Sequence, residues 1–131
     1  MICKNAVVVF DPSEILPSYG ENRISASYDG RKLLLSVFFD GADGESNISF
    51  VFENTCFYKM GSIPGVDDTT IRYEKYNSIS SLVEFEYSDF KNKWEENFNH
   101  LFKLRHLKIF FLNENKFLEV ICESFSLDNS N

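Results

Sequence analysis

Four groups of side chains in this chain have the composition and spacing to do chemistry. The first is Asp40-Gly41-Ala42-Asp43-Gly44-Glu45, three acids on a backbone rich in turn residues. Hard cations want several oxygens on a curving backbone, but the spacing fails the EF-hand pattern, where Gly44 and Glu45 stand in place of ligands. The segment therefore reads as a solvated loop or a protein-contact surface, and Asp67-Asp68 reads the same way. The second group is basic: His100, Lys103, Arg105, His106 and Lys108 lie in a stretch without acids from Asn97 through Asn113. It would suit a phosphate or general acid–base work. Yet no glycine-rich phosphate loop or activated nucleophile accompanies it, so the solvent face of a helix-to-strand junction is expected.

The third group pairs acids at even spacing, Glu84 with Glu86 and Glu119 with Glu123. On a strand each pair projects from one face, and such pairs commonly mark the wet face of a sheet. Glu119 and Glu123 share theirs with Phe117, Ile121 and Phe125, which makes that face mixed. The fourth group is Cys3, Cys56 and Cys122, odd in number and far apart, with no Cys-x-x-Cys and no Cys/His cluster. Neither a disulfide framework nor a zinc site is indicated, and Cys122 reads as a small core filler. No metal or cofactor is expected.

These groups must be carried mostly by strands. Ala6 to Phe10 is apolar and β-branched, and residues 11–22 read as a loop. Arg23–Tyr28 and Arg31–Phe39 flank Asp29-Gly30, which predicts a two-residue hairpin turn. Ile48, Phe50 and Phe52 alternate with Ser49, Val51 and Glu53, a run from Cys56 to Met60 follows, and Ile71 to Tyr76 suggests a further strand. In Ser81–Tyr87 the apolar Val83, Phe85 and Tyr87 oppose Glu84 and Glu86. The period then changes: Ser88 is an N-cap, Asp89 suits the first turn, and Phe90, Trp94 and Phe98 recur every four residues. One amphipathic helix is expected over residues 88–99. His106–Leu112 and Phe117–Phe125 form a closing hairpin, with Asn115 suited to a left-handed conformation.

The fold class is thus strand-dominated α+β: a curved antiparallel sheet, sandwich- or barrel-like, with one helix. At 131 residues, a single domain over residues 1–131 is expected. Aromatics at 16%, 14 of them Phe, can fill a core of that size. The net charge is −7, and the whole excess falls in the first 90 residues, which hold 14 acids against 7 bases. Such a surface disfavours nucleic acid and anionic lipid and attracts basic proteins. No apolar stretch approaches a membrane span, and the run before Asp11-Pro12 is too short for a signal peptide, so a reduced cytoplasmic setting is expected.

The size, the acidity, the lack of a catalytic signature and the ending His106-Leu107-Lys108-Ile109-Phe110-Phe111 with Phe117-Leu118-Glu119-Val120-Ile121-Cys122-Glu123-Ser124-Phe125 together resemble the small immunity proteins of bacterial polymorphic toxins, including contact-dependent growth inhibition systems. The resemblance implies a cytosolic inhibitor, not an enzyme, that binds a cognate toxin, often a basic nuclease. Acidic loops independently suit a positively charged partner surface. The expected contacts are Asp40, Asp43, Glu45, Asp67 and Asp68, then Glu84 and Glu86, with Tyr73 or Tyr76 as a desolvated anchor. Two other classes compete. A sizeable closed apolar cavity would favour a ligand-binding, barrel-like module with an aromatic-lined pocket. A His–carboxylate pair inside a cleft would favour an enzyme built on His100 or His106.

Overall fold

Strict alternation puts Leu33, Leu35, Val37 and Phe39 on one side of a strand and Leu34, Ser36 and Phe38 on the other, and that choice organises the molecule. The computed structural model describes residues 3–12, 15–17, 20–62 and 81–128. In chain order these form β1 (Cys3–Phe10), β2 (Arg23–Tyr28), β3 (Leu33–Gly41), β4 (Gly44–Glu53), β5 (Phe57–Ser62), β6 (Leu82–Ser88), helix α1 (Asp89–Asn97), β7 (Arg105–Phe111), β8 (Lys116–Cys122) and β9 (Ser124–Asp128). The strand expected over Ile71–Tyr76 lies outside the described residues.

The fold is strand-dominated α+β, as expected, with two antiparallel sheets that do not close into a barrel. One has the order β1-β6-β7-β8-β5 and the other β2-β3-β4-β9. Their facing sides share one core. Leu33, Leu35, Val37, Phe39, Ile48, Phe50 and Phe52 from the four-stranded sheet meet Leu82, Leu107, Ile109, Phe111, Leu118, Val120 and Cys122 from the five-stranded one. Phe50 and Phe52 are fully buried, and each such ring contributes about 2–3 kcal/mol. Cys122 is a buried core residue whose thiol is pushed up to about 12, chiefly by burial.

The five-stranded sheet is covered on both faces, and here the structure departs from the expected wet face. Val83 and Phe85 are buried on its outer side, while Glu84 points to the side of Leu107 and Arg105, towards the other sheet. Alternation marks a solvent face only when one side of a sheet is uncovered. The expected continuous strand Phe117–Phe125 is likewise two strands. β8 ends at Cys122, Glu123 donates its backbone N–H to the Glu53 carbonyl (3.0 Å), and β9 continues in the other sheet. Glu119 and Glu123 therefore do not share a face of one strand.

Two turns also differ from expectation. Tyr28 pairs with Leu33, so the β2–β3 turn holds four residues, not two. Asp29 closes it: its carboxylate accepts from the backbone N–H of Arg31 (3.0 Å) and Lys32 (2.7 Å), while Gly30 takes φ +95°. Those two amides hold the Asp29 carboxyl below its usual range. Conversely, residues 40–45 form no broad loop. β3 and β4 run up to the pair Gly41–Gly44, leaving Ala42-Asp43 as the turn, with Gly44 at φ +117°.

Helix α1 begins as the sequence requires, with the Ser88 hydroxyl accepting from Lys91 N–H (3.1 Å). Phe90 anchors it edge-on to Phe57 on β5 at 4.7 Å. Asn99 and His100 both adopt positive φ and reverse the chain, and Glu95 straps the reversal through its carboxylate to Leu104 N–H (2.9 Å). Burial pushes the Glu95 carboxyl up, but the Leu104 amide and Lys91 outweigh it and hold it below the usual range.

Candidate functional site

The acids of the first group converge on one feature, the tip of the β3–β4 hairpin. Asp40 and Glu45 face each other across it in register, and Asp43 is exposed in the turn. Their orientation is fixed from β2 and the residue before it: Asn22 donates to Asp40 (2.8 Å) and Arg23 to Glu45 (2.9 Å). The strands approach closely here: a Cβ on Gly41 would meet the Ser46 hydroxyl at 2.5 Å and the Gly44 carbonyl at 3.1 Å.

This tip lies at the same end of the sandwich as the β7–β8 turn. Asn113 of that turn donates from its backbone N–H to the Glu21 carboxylate and from its side-chain amide to the Glu21 carbonyl, both at 3.1 Å. Glu84 and Glu86 belong elsewhere. β6 and β7 pair only at Val83–Lys108 and Glu84–Leu107, so they part towards the opposite end. A cleft of about 710 Å3 opens there, lined in part by Glu84, Glu86, Glu123, Lys91, Lys103 and Arg105. Arg105 forks Glu84 with contacts of 2.6 and 3.1 Å and lies over the Phe125 ring at 5.0 Å. The Glu84 hydrogen bond is the main reason the Arg105 guanidinium is held above its usual value. Three bases and three acids thus balance in this cleft, unlike the tip. Asp67, Asp68, Tyr73 and Tyr76 lie outside the described residues.

His106 is the residue that local sequence placed wrongly. It is not on a solvent face but fully buried. Its Nδ1 lies 2.7 Å from the Ser88 hydroxyl and its Nε2 lies 3.0 Å from Glu119 Oε2. Lys108, itself buried, stands 3.7 Å from the same carboxylate oxygen. Burial pushes the Glu119 carboxyl up, yet the His106 hydrogen bond and the charges of Lys108, His106 and Lys59 outweigh it and hold it below the usual range. Cys3 brings its thiol to 3.8 Å from His106 Nδ1 and 4.0 Å from the Ser88 hydroxyl. Burial leads the effects that raise this thiol's pKa.

Serine, histidine and carboxylate in a chain are the elements of a hydrolase triad, but the geometry here is that of a support. Ser88 is fully buried and already accepts the Lys91 amide as helix N-cap, so its hydroxyl has no approach for a substrate. Neither His106 nor Glu119 is among the described residues that line the cleft beside Glu84 and Arg105. Among the described residues no three His, Cys, Asp or Glu side chains group as metal ligands. No described helix is long and apolar enough to cross a membrane. Comparison with known protein families, curated proteins and solved structures gives no match.

Proposed function

We propose that this chain is an immunity-type inhibitor that binds and neutralises a cognate bacterial toxin, the basic face of a nuclease domain being the expected target. The observation that carries the reading is the β3–β4 tip, where Asp40, Asp43 and Glu45 are concentrated around a two-residue turn, with Asp40 and Glu45 held by Asn22 and Arg23. Pre-oriented carboxylates lose little freedom on binding, and a compact negative tip steers a basic partner into register. The Ser88–His106–Glu119 chain supports a binding protein over an enzyme, because Ser88 and His106 are fully buried. Glu84 and Glu86 form a second, weaker contact region, since Lys91, Lys103 and Arg105 stand among the acids of that cleft, against Arg23 beside the three acids of the tip.

The test is affinity capture from the native organism with the tagged chain, followed by binding kinetics with the captured protein. A single stoichiometric basic partner is expected. Charge reversal of Asp40, Asp43 and Glu45 to Lys should slow its association and weaken the salt dependence. Unchanged kinetics in a folded variant would remove the hairpin tip from the interface. Capture of no protein would count against the inhibitor reading as a whole.

A further inference from the structure

The end of the four-stranded sheet opposite the acidic tip carries a surface of different character. β3 is nine residues long, so its two turns stand roughly 30 Å apart. Around the β2–β3 turn, Tyr28, Trp94, Phe98 and Phe102 line a groove of about 510 Å3, with Arg31 and Asn54 also in its wall. This volume falls within the range of small-molecule sites. Trp94 and Phe98 stack at 6.0 Å and 25°, and Phe102 meets Phe98 edge-on at 5.6 Å. Phe102 keeps 42% of its surface exposed. The chain reversal at Asn99-His100 and the Glu95–Leu104 strap hold it there, where a looser segment would fold the ring away.

The charge of the groove is opposite to that of the whole chain. Among the described residues no acid lines it. Arg31 uses Nε to bond Asn54 Oδ1 at 2.8 Å, which fixes the guanidinium plane. Among the described residues it makes no ion pair within 4.0 Å, so its terminal amino groups remain for another acceptor. The neighbouring Asp29 carboxylate is engaged by the backbone amides of its own turn. A guanidinium oriented by Asn54, with no ion pair among the described residues and four aromatic rings beside it, matches one planar carboxylate attached to an apolar body. A single cation would leave a polyphosphate largely uncompensated.

We infer that this groove is a binding site for a small amphipathic carboxylate, an aryl or acyl acid, separate from the partner-binding tip. Its apolar body packs on Trp94, Phe98 and Phe102, and its carboxylate accepts two hydrogen bonds from Arg31. The inference does not depend on the toxin reading, because none of the groove's residues belongs to the hairpin tip.

Trp94 is the only tryptophan in the chain, so its fluorescence reports on the groove directly. The experiment is a titration of the full chain with naphthoate and, in parallel, with the uncharged naphthyl methanol. Naphthoate should give a saturable change in Trp94 emission with one site per chain, and should bind about tenfold more tightly than the alcohol. Arg31→Gln should erase that preference by weakening naphthoate far more than the alcohol, and Phe102→Ala should weaken both ligands. A non-saturating response, equal affinity for acid and alcohol, or an unaltered preference in the Arg31 variant would each overturn the proposal. The comparison on the unmodified protein stands even if a variant misfolds.

Discussion

Glu45 and Glu119 are both ion-paired carboxylates on antiparallel strands, yet they do opposite things. Glu45 meets Arg23 at 2.9 Å at the hairpin tip, with 42% of its side chain exposed. Water screens that pair, and about 0–1 kcal/mol is what it contributes to folding. Glu119 has 14% exposure and serves two buried donors, His106 and Lys108, from the middle of a covered sheet face. There each partner removed leaves the others stranded in a poor solvent for charge. The same chemical group thus stays open to solvent where it is wet and is structural where it is dry. Accessibility, more than pairing, decides which.

The contrast breaks first at His106. His106→Ala strands Glu119 and Ser88 together, and a loss of about 3–5 kcal/mol in urea unfolding is expected. Ser88→Ala removes both the helix cap and the Nδ1 partner, and should cost about 1–3 kcal/mol by the same measurement. Gly44→Ala at the tip forces a side chain into a positive-φ position and should cost about 1 kcal/mol through backbone strain alone. Glu45→Gln, by comparison, should change stability by no more than about 0.5 kcal/mol while slowing association with a basic partner.

Acid titration sharpens the same comparison. The folded Glu119 carboxyl lies below its ordinary value near 4.5, so its stabilising contribution is present in full above that pH. It is lost as pH falls through the folded value. The wild-type chain should therefore lose stability more steeply below about pH 4.5 than Glu119→Gln does, and parallel curves for the two would show that Glu119 is not the group responsible.

Much of this was legible in sequence where local pattern and local chemistry agree. Ile48, Phe50 and Phe52 alternate and are buried, Ser88 caps the helix, and Asn115 turns the β7–β8 hairpin at φ 54°. His106 was not legible. Its neighbours Lys103, Arg105 and Lys108 give the segment a wet appearance, whereas its partners Ser88 and Glu119 come from other strands at distances no local window spans. The Arg31 groove was hidden for a related reason. Tyr28 and Trp94 are remote in sequence and meet only because the helix end and the β2–β3 turn flank the same depression. The position of Glu84 was misread because alternation marks two faces without saying that both are covered.

The pairing of β1 with β6 sets a timetable for the newborn chain. Cys3 stands opposite Ser88 in register, 85 positions later. At 5–20 residues per second, a ribosome needs roughly 4–17 s to deliver that partner. Hairpins β2–β3 and β3–β4 can zip within that interval, since their strands are neighbours along the chain. The Val7-Val8-Val9 segment cannot, and it waits as an unpaired apolar strand during translation.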